Sequence, residues 1–277
     1  MAVDKKSSIR IAFLKDQYMA QWQLQPDGDS FFSYNGLLQP VLYENKSAML
    51  KITLDEEEQA GGMLMKWWDG KGAAVVYKDA REALLMERII GDLSLKEMAE
   101  TGNDNEATRI ICQTAKRLHT KRDKPLPPLV DLNDRFYKLV HLDRKYGNRF
   151  SKSSRLAEEL LKNTNTKTVL HGDLHHENIL YDSQKGWQVI DPNPLYGNPA
   201  FEYASLFCNP TWQVALAPGR LETQLAIVCE QTGMEPQYML RWIVAYTALS
   251  GLWMLGADQD ASNTFAINQI ALTALNE

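Results

Sequence analysis

Asp173, Asn178 and Asp191 carry oxygen donors at spacings that suit a hard cation and a reacting hydroxyl. The first two lie in Val169-Leu170-His171-Gly172-Asp173-Leu174-His175-His176-Glu177-Asn178-Ile179-Leu180-Tyr181, and the third ends Trp187-Gln188-Val189-Ile190-Asp191-Pro192. This reads as an apolar lead-in, a polar loop, a strand, a tight turn over residues 182–186 and a second strand. Asp173 opens the loop, Asn178 closes it, and the hairpin is expected to fold Asp191 back beside Asn178. Mg2+ takes oxygen ligands, usually one or two from protein, with phosphates and water filling the octahedron. Asn178 and Asp191 fit that role. Asp173, five residues before Asn178, is then placed to face an incoming hydroxyl.

Plainer roles compete with these. Asp173 by itself suits a turn cap. His171, His175 and His176 could be read as a zinc cluster, but adjacent His175 and His176 point apart and no cysteine accompanies them. His171 reads as a brace for the loop. Trp242, Trp253 and Met254 read as core of a late helix. It is the combined spacing of the two aspartates and the asparagine that favours chemistry.

The elements that must position these groups fall into two parts. Up to about residue 90 the chain reads as strands around one helix. Residues 31–34 and 37–43 are β-leaning with Asn35-Gly36 as the hairpin turn, and residues 48–52 form another strand. The acidic run Asp55-Glu56-Glu57-Glu58 suits a helix N-terminus, and that helix stops near Trp68-Asp69-Gly70. Residues 73–77 and 83–87 read as two more strands. Helical periodicity then covers 95–119, 131–146 and 153–163, and returns from 221 onward, broken at Gly233 and Pro236. The expected fold class is α+β, with two lobes over residues 1–90 and 91–277.

The chain has 277 residues, 44% hydrophobic and 23% charged, with a formal net charge of -5. That is globular composition without the basic surplus that binding nucleic acid demands. The apolar stretch 242–257 is shorter than the roughly 20 residues that span a bilayer, so no membrane partner is expected. Three dispersed cysteines and a polar start point to a cytoplasmic protein. After residue 168 only Lys185, Arg220 and Arg241 are basic, against eleven acidic residues. Such a part would attract a cationic small molecule.

The run from His171 to Leu180, with Val189-Ile190-Asp191-Pro192, resembles the aminoglycoside phosphotransferase family, which has the protein-kinase-like fold. Trp68-Asp69-Gly70-Lys71-Gly72-Ala73, Leu84-Leu85-Met86-Glu87-Arg88 and Leu206-Phe207-Cys208-Asn209-Pro210 are similar to its aminoglycoside 6-phosphotransferase, streptomycin 6-kinase and hydroxyurea phosphotransferase branch. The resemblance implies a small antiparallel-sheet N-lobe, a mainly helical C-lobe and ATP between them. It implies Asp173 as the catalytic residue, and Asn178 and Asp191 as Mg2+ ligands. Lys51, on the third strand, would hold the α and β phosphates, under a hairpin containing Ser33, Asn35 and Gly36. Glu87 and Ile89 would meet the adenine edge through the backbone.

An acidic partner for Lys51 is also implied. Relatives tend to place it where this chain has Gly61, so Glu58, about one helical turn earlier, is the candidate. Relatives often carry Gly-Asp-Pro and a later Asp where this chain has Gly197-Asn198-Pro199 and Glu202, and many carry Lys where it has Asn193. These departures are expected on the substrate side. The implied activity is transfer of the γ-phosphoryl group of ATP to a hydroxyl of an aminoglycoside or of hydroxyurea. Other readings are a housekeeping kinase of a sugar or amino alcohol, a nucleotide-binding pseudokinase, and a metal-dependent hydrolase.

Overall fold

The structure is a computed structural model and describes residues 5–33, 36–141, 146 and 148–276. The fold is α+β and divides into two compact units. One holds the described residues up to Asp92 together with Lys124–Pro128 and Leu180–Pro194; the other holds Leu93–Asp123, Leu129–Ile179 and the chain from Leu195 onward.

The first unit is built on an antiparallel sheet. Its strands are β1 (Gln25–Pro26), β2 (Phe31–Phe32), β3 (Leu37–Tyr43), β4 (Lys46–Ile52), β5 (Val76–Asp79) and β6 (Ala83–Glu87). They run in the order β1-β3-β4-β6-β5, with β2 hairpinned onto β3. Side chains alternate across a strand, so Ala48, Leu50 and Ile52 of β4 share one face, and all three are fully buried. Helix α1 (Lys5–Gln21) covers that face with Ile11, Leu14 and Tyr18, joined by Trp22 and Leu24. Lys51 therefore points to the opposite face.

Helix α2 (Glu56–Trp68) begins where the acidic run predicts, capped by Asp55, whose Oδ1 accepts the N–H groups of Glu57 (2.8 Å) and Glu58 (3.2 Å). It ends at Asp69, which adopts a left-handed φ of 57°. Between strands β9 (Ile179–Asp182) and β10 (Gly186–Val189), Asp182 Oδ1 accepts N–H bonds from Gln184 and Lys185, both 2.8 Å. Gly186 at φ 72° completes the turn.

In the second unit, helices surround a small sheet of β7 (Val130–Asp131), β11 (Leu195–Gly197) and β8 (Thr168–Leu170), in that order. The helices are α3 (Leu95–Glu100), α4 (Asp104–Leu118), α5 (Leu132–Val140), α6 (Ser151–Lys162), α7 (Trp212–Ala215), α8 (Arg220–Thr232), α9 (Pro236–Gly256) and α10 (Ser262–Asn276). Helix α9 is apolar nearly all round because it is the core helix, packed by α6, α8 and α10. Among the described residues, no helix is long and apolar enough to cross a membrane.

Four expectations need correction. The first part contains two helices, because Ile11, Leu14 and Tyr18 form an apolar stripe at helical spacing inside a polar stretch. The strand expected at 73–77 lies at Val76–Asp79, since Ala73 and Ala74 are drawn off to Val189. The helical run 95–119 is broken at Thr101-Gly102-Asn103, where Gly102 has φ 96°. The helix expected over 131–146 ends at Val140; residues 142–145 lie outside the described residues.

Candidate active site

Lys51 is only 3% exposed although it is an ammonium on a short strand. A buried charge needs partners, and Lys51 has two carboxylates, Glu58 of α2 and Asp191 just past β10. Burial works to lower its pKa, but the attraction of Asp191 and then of Glu58 outweighs it and leaves the pKa raised. Lys51 stands on the fourth strand, not the third, because the two-residue β1 precedes it. A cavity of about 410 Å³ opens beside the pair and is lined by residues including Lys51, Glu58, Leu84 and Asp191. Asp191 has a left-handed φ of 58°. Aspartate tolerates that region better than most residues, and such outliers concentrate at functional sites.

Ser33 and Gly36 close the β2–β3 hairpin, with Ser33 N donating to Gly36 O at 2.8 Å and Ser33 Oγ donating to the same oxygen at 3.2 Å. A side chain on Gly36 would collide with the Ile52 carbonyl. Asn35 lies outside the described residues. Glu87 ends β6; its backbone N donates to Val75 O at 2.7 Å and its carboxylate pairs with Lys185. Ile89 follows in a segment without regular structure.

The loop from His171 to Asn178, in the second unit, is pinned along its length. Gly172 takes φ 79°, a conformation that favours glycine. His171 Nδ1 accepts the Asp173 N–H at 3.3 Å, so His171 is the expected brace. Ser205 Oγ donates to Leu174 O at 2.6 Å. Asn178 Nδ2 donates to the Asp173 carbonyl (2.9 Å) and to Asp173 Oδ2 (3.3 Å), so Oδ1 is the acceptor atom of its side chain. His175 Nδ1 accepts the Glu177 N–H at 3.2 Å, so its other nitrogen carries the proton and faces Asp173 Oδ2 at 3.5 Å. Burial pushes the Asp173 pKa up, but His175, then His171 and Arg135, hold it below the usual carboxylate value. The three histidines have separate tasks, since His176 sits 3.8 Å from Asp104 instead.

Glu202 carries a role that the sequence reading did not assign. It is 1% exposed, and its carboxylate accepts the N–H groups of His171 (2.7 Å) and Gly172 (2.9 Å) with His119 Nε2 at 3.2 Å. The departures at Glu202 and Asn198, expected on the substrate side, serve the backbone. Asn198 caps the 3-10 turn Pro199–Tyr203 through Ala200 N at 3.0 Å and donates to Tyr238 Oη at 2.6 Å. Arg135 was missed as well. Its guanidinium lies 4.5 Å from the ring centroid of Trp253. Trp253 is 37% exposed, so unlike Trp242 it is no core residue.

Burial raises the Glu202 pKa, but His119, His171 and the backbone donor override this and hold it below its ordinary value of 4.5. A carboxyl with a depressed folded-state pKa stabilises fully above its unfolded value and loses that contribution as pH falls through the folded one. Glu202→Gln keeps the shape but sets an amide N–H₂ against backbone donors. It is expected to cost about 1–3 kcal/mol near neutral pH. The difference in melting temperature from wild type should shrink as pH drops below 4.5. A pH-independent difference would contradict the ionised buried carboxylate.

The family model described as "Aminoglycoside/hydroxyurea antibiotic resistance kinase" matches residues 21–257. Streptomycin 3''-kinase of Klebsiella pneumoniae is 42% identical over 86% of this chain and 91% of its own length. Streptomycin 6-kinase of Streptomyces griseus is 26% identical over 91% and 84%. Among solved structures, choline kinase LicA from Streptococcus pneumoniae aligns with a TM-score of 0.63 at 14% identity, covering 96% of this chain and 98% of that one. Aminoglycoside phosphotransferase APH(4)-Ia also gives 0.63, at 12% identity over 93% and 97%. The fold is thus the two-lobed kinase-like one that the resemblance implied. The chain is a phosphotransferase with an alcohol group as acceptor, and it belongs to the aminoglycoside/hydroxyurea antibiotic resistance kinase family.

Proposed function

We propose that this enzyme transfers the γ-phosphoryl group of ATP to a hydroxyl of streptomycin or a closely similar aminoglycoside. The observation that carries the nucleotide half is the buried Lys51, held between Glu58 and Asp191. An ammonium fixed in that way suits the α and β phosphates, and the hairpin that Ser33 and Gly36 close would cover them. Glu87 and Ile89 offer backbone groups to the adenine edge. Asn178 Oδ1 and the Asp191 carboxylate are hard oxygen donors, and they fit Mg2+. When bound, the cation supplies charge neutralisation on the phosphate oxygens.

Asp173 holds the acceptor hydroxyl in line with the γ-phosphorus. With a pKa below the usual carboxylate value, it cannot strip an alcohol beforehand. It takes the proton as the new O–P bond forms and the bond to the ADP oxygen breaks. Positioning and charge neutralisation then supply most of the rate gain. The relative at 42% identity favours the 3''-position over the 6-position named for the relative at 26%. Use of ATP and a reducing environment for three free cysteines fit action in the cytoplasm.

The test compares acceptors by ADP release with MgATP. Streptomycin should give the highest kcat/KM among streptomycin, hydroxyurea and choline, and NMR of the product should locate the phosphate at the 3''-position. Phosphorylation of choline or hydroxyurea with streptomycin left untouched would overturn this reading. The acidic excess after residue 168 adds a second expectation. Raising ionic strength should raise the KM for a cationic aminoglycoside, because salt screens exposed charge. A salt-independent KM would return those acids to a merely solvated surface.

A further inference from the structure

Glu58 and Gly61 stand three residues apart on α2 and so share one face of the helix. Glu58 reaches Lys51. Gly61 is buried, and a Cβ built on it would lie 2.5 Å from the carbonyl oxygen of Pro192 and 3.7 Å from Pro192 Cδ. The helix can seat on that carbonyl only because residue 61 has no side chain. Pro192 directly follows Asp191, whose backbone is left-handed. On the other side of Asp191 the chain is fixed at Val189, which accepts from Ala74 N and donates to Gly72 O, both at 2.9 Å. Ile190 and Asp191 are thus held between two backbone anchors, one of which is α2.

We propose that Gly61 is a positioning residue: its bare backbone seats α2 on the Pro192 carbonyl, so that one helix sets both Glu58 against Lys51 and Asp191 where its carboxylate can meet a divalent cation. A side chain at position 61 is incompatible with this seat, and the acid of α2 that meets Lys51 is Glu58, one turn earlier. This inference rests on the MgATP reading above.

Gly61→Ala tests it, with Gly62→Ala as the control. A Cβ at 62 meets only the tip of Leu84, at 3.0 Å from Cδ1, and that flexible side chain can yield. Helix propensity alone favours alanine at both positions. The readout is calorimetric ATP affinity as Mg2+ is titrated, together with KM for streptomycin. Gly61→Ala should raise the Mg2+ concentration at half-saturation about tenfold or more, since small misplacements are costly. Its KM for streptomycin and both quantities in Gly62→Ala should stay within about twofold.

A wild-type Mg2+ titration in Gly61→Ala, or equal shifts in both alanine variants, overturns the inference while leaving the nucleotide reading standing. Absence of Mg2+-dependent ATP binding in the wild-type protein overturns both. If Gly61→Ala does not fold, Pro192→Gly decides. It keeps the glycine at 61 but frees φ at 192, and it should raise the Mg2+ midpoint about threefold; an unchanged midpoint overturns the proposal.

Discussion

Asp173→Ala is expected to lower kcat by about 100-fold or more, with little change in MgATP affinity. A 100-fold loss corresponds to about 2.7 kcal/mol of transition-state stabilisation. The assignment comes from what surrounds the carboxylate. The Asp173 N–H is held by His171 and its carbonyl by Asn178. One carboxylate oxygen faces both Asn178 Nδ2 and the protonated nitrogen of His175. These contacts fix the side chain in its ionised form and aim it, and none of them is a nucleotide contact. Loss of the carboxylate should therefore appear in kcat and leave calorimetric ATP affinity near wild type. Turnover close to wild type would remove Asp173 from the reaction.

Asp191→Asn should weaken Mg2+-dependent nucleotide binding about tenfold or more. Asparagine is chosen over alanine because residue 191 has φ 58°, a region that asparagine and aspartate tolerate. The substitution removes one of the two carboxylates on Lys51 and, on the proposed reading, a charged ligand of the cation. Glu58 remains, so the ammonium stays paired and in place. Nucleotide affinity without Mg2+ should change far less than affinity with it. Equal Mg2+ titrations in variant and wild type would contradict the role of Asp191.

What could be read beforehand was whatever neighbours in sequence determine. The cap at Asp55 and the acidic start of α2 are local, as is the loop-and-hairpin pattern from Asp173 to Asp191. Contacts between distant segments were hidden. Glu202 meets the backbone of His171 and Gly172 some thirty residues away, and nothing around position 202 announces it. Lys51 looks like an exposed strand lysine until β4 alternation and α2 bury it. Helix α1 was legible in principle, since Ile11, Leu14 and Tyr18 repeat at helical spacing, but the polar residues between them masked the stripe. Arg135 beside Trp253 joins two helices, α5 and α9, that only folding brings together.

The most direct measurement follows label from the γ-phosphoryl group of ATP under rapid quench, with streptomycin present and then absent. The expected result is label appearing on streptomycin in step with ADP, and only slow release of inorganic phosphate without acceptor. Phosphate release at the same rate with and without acceptor, or no label on streptomycin, would contradict a hydroxyl-directed kinase built on Asp173.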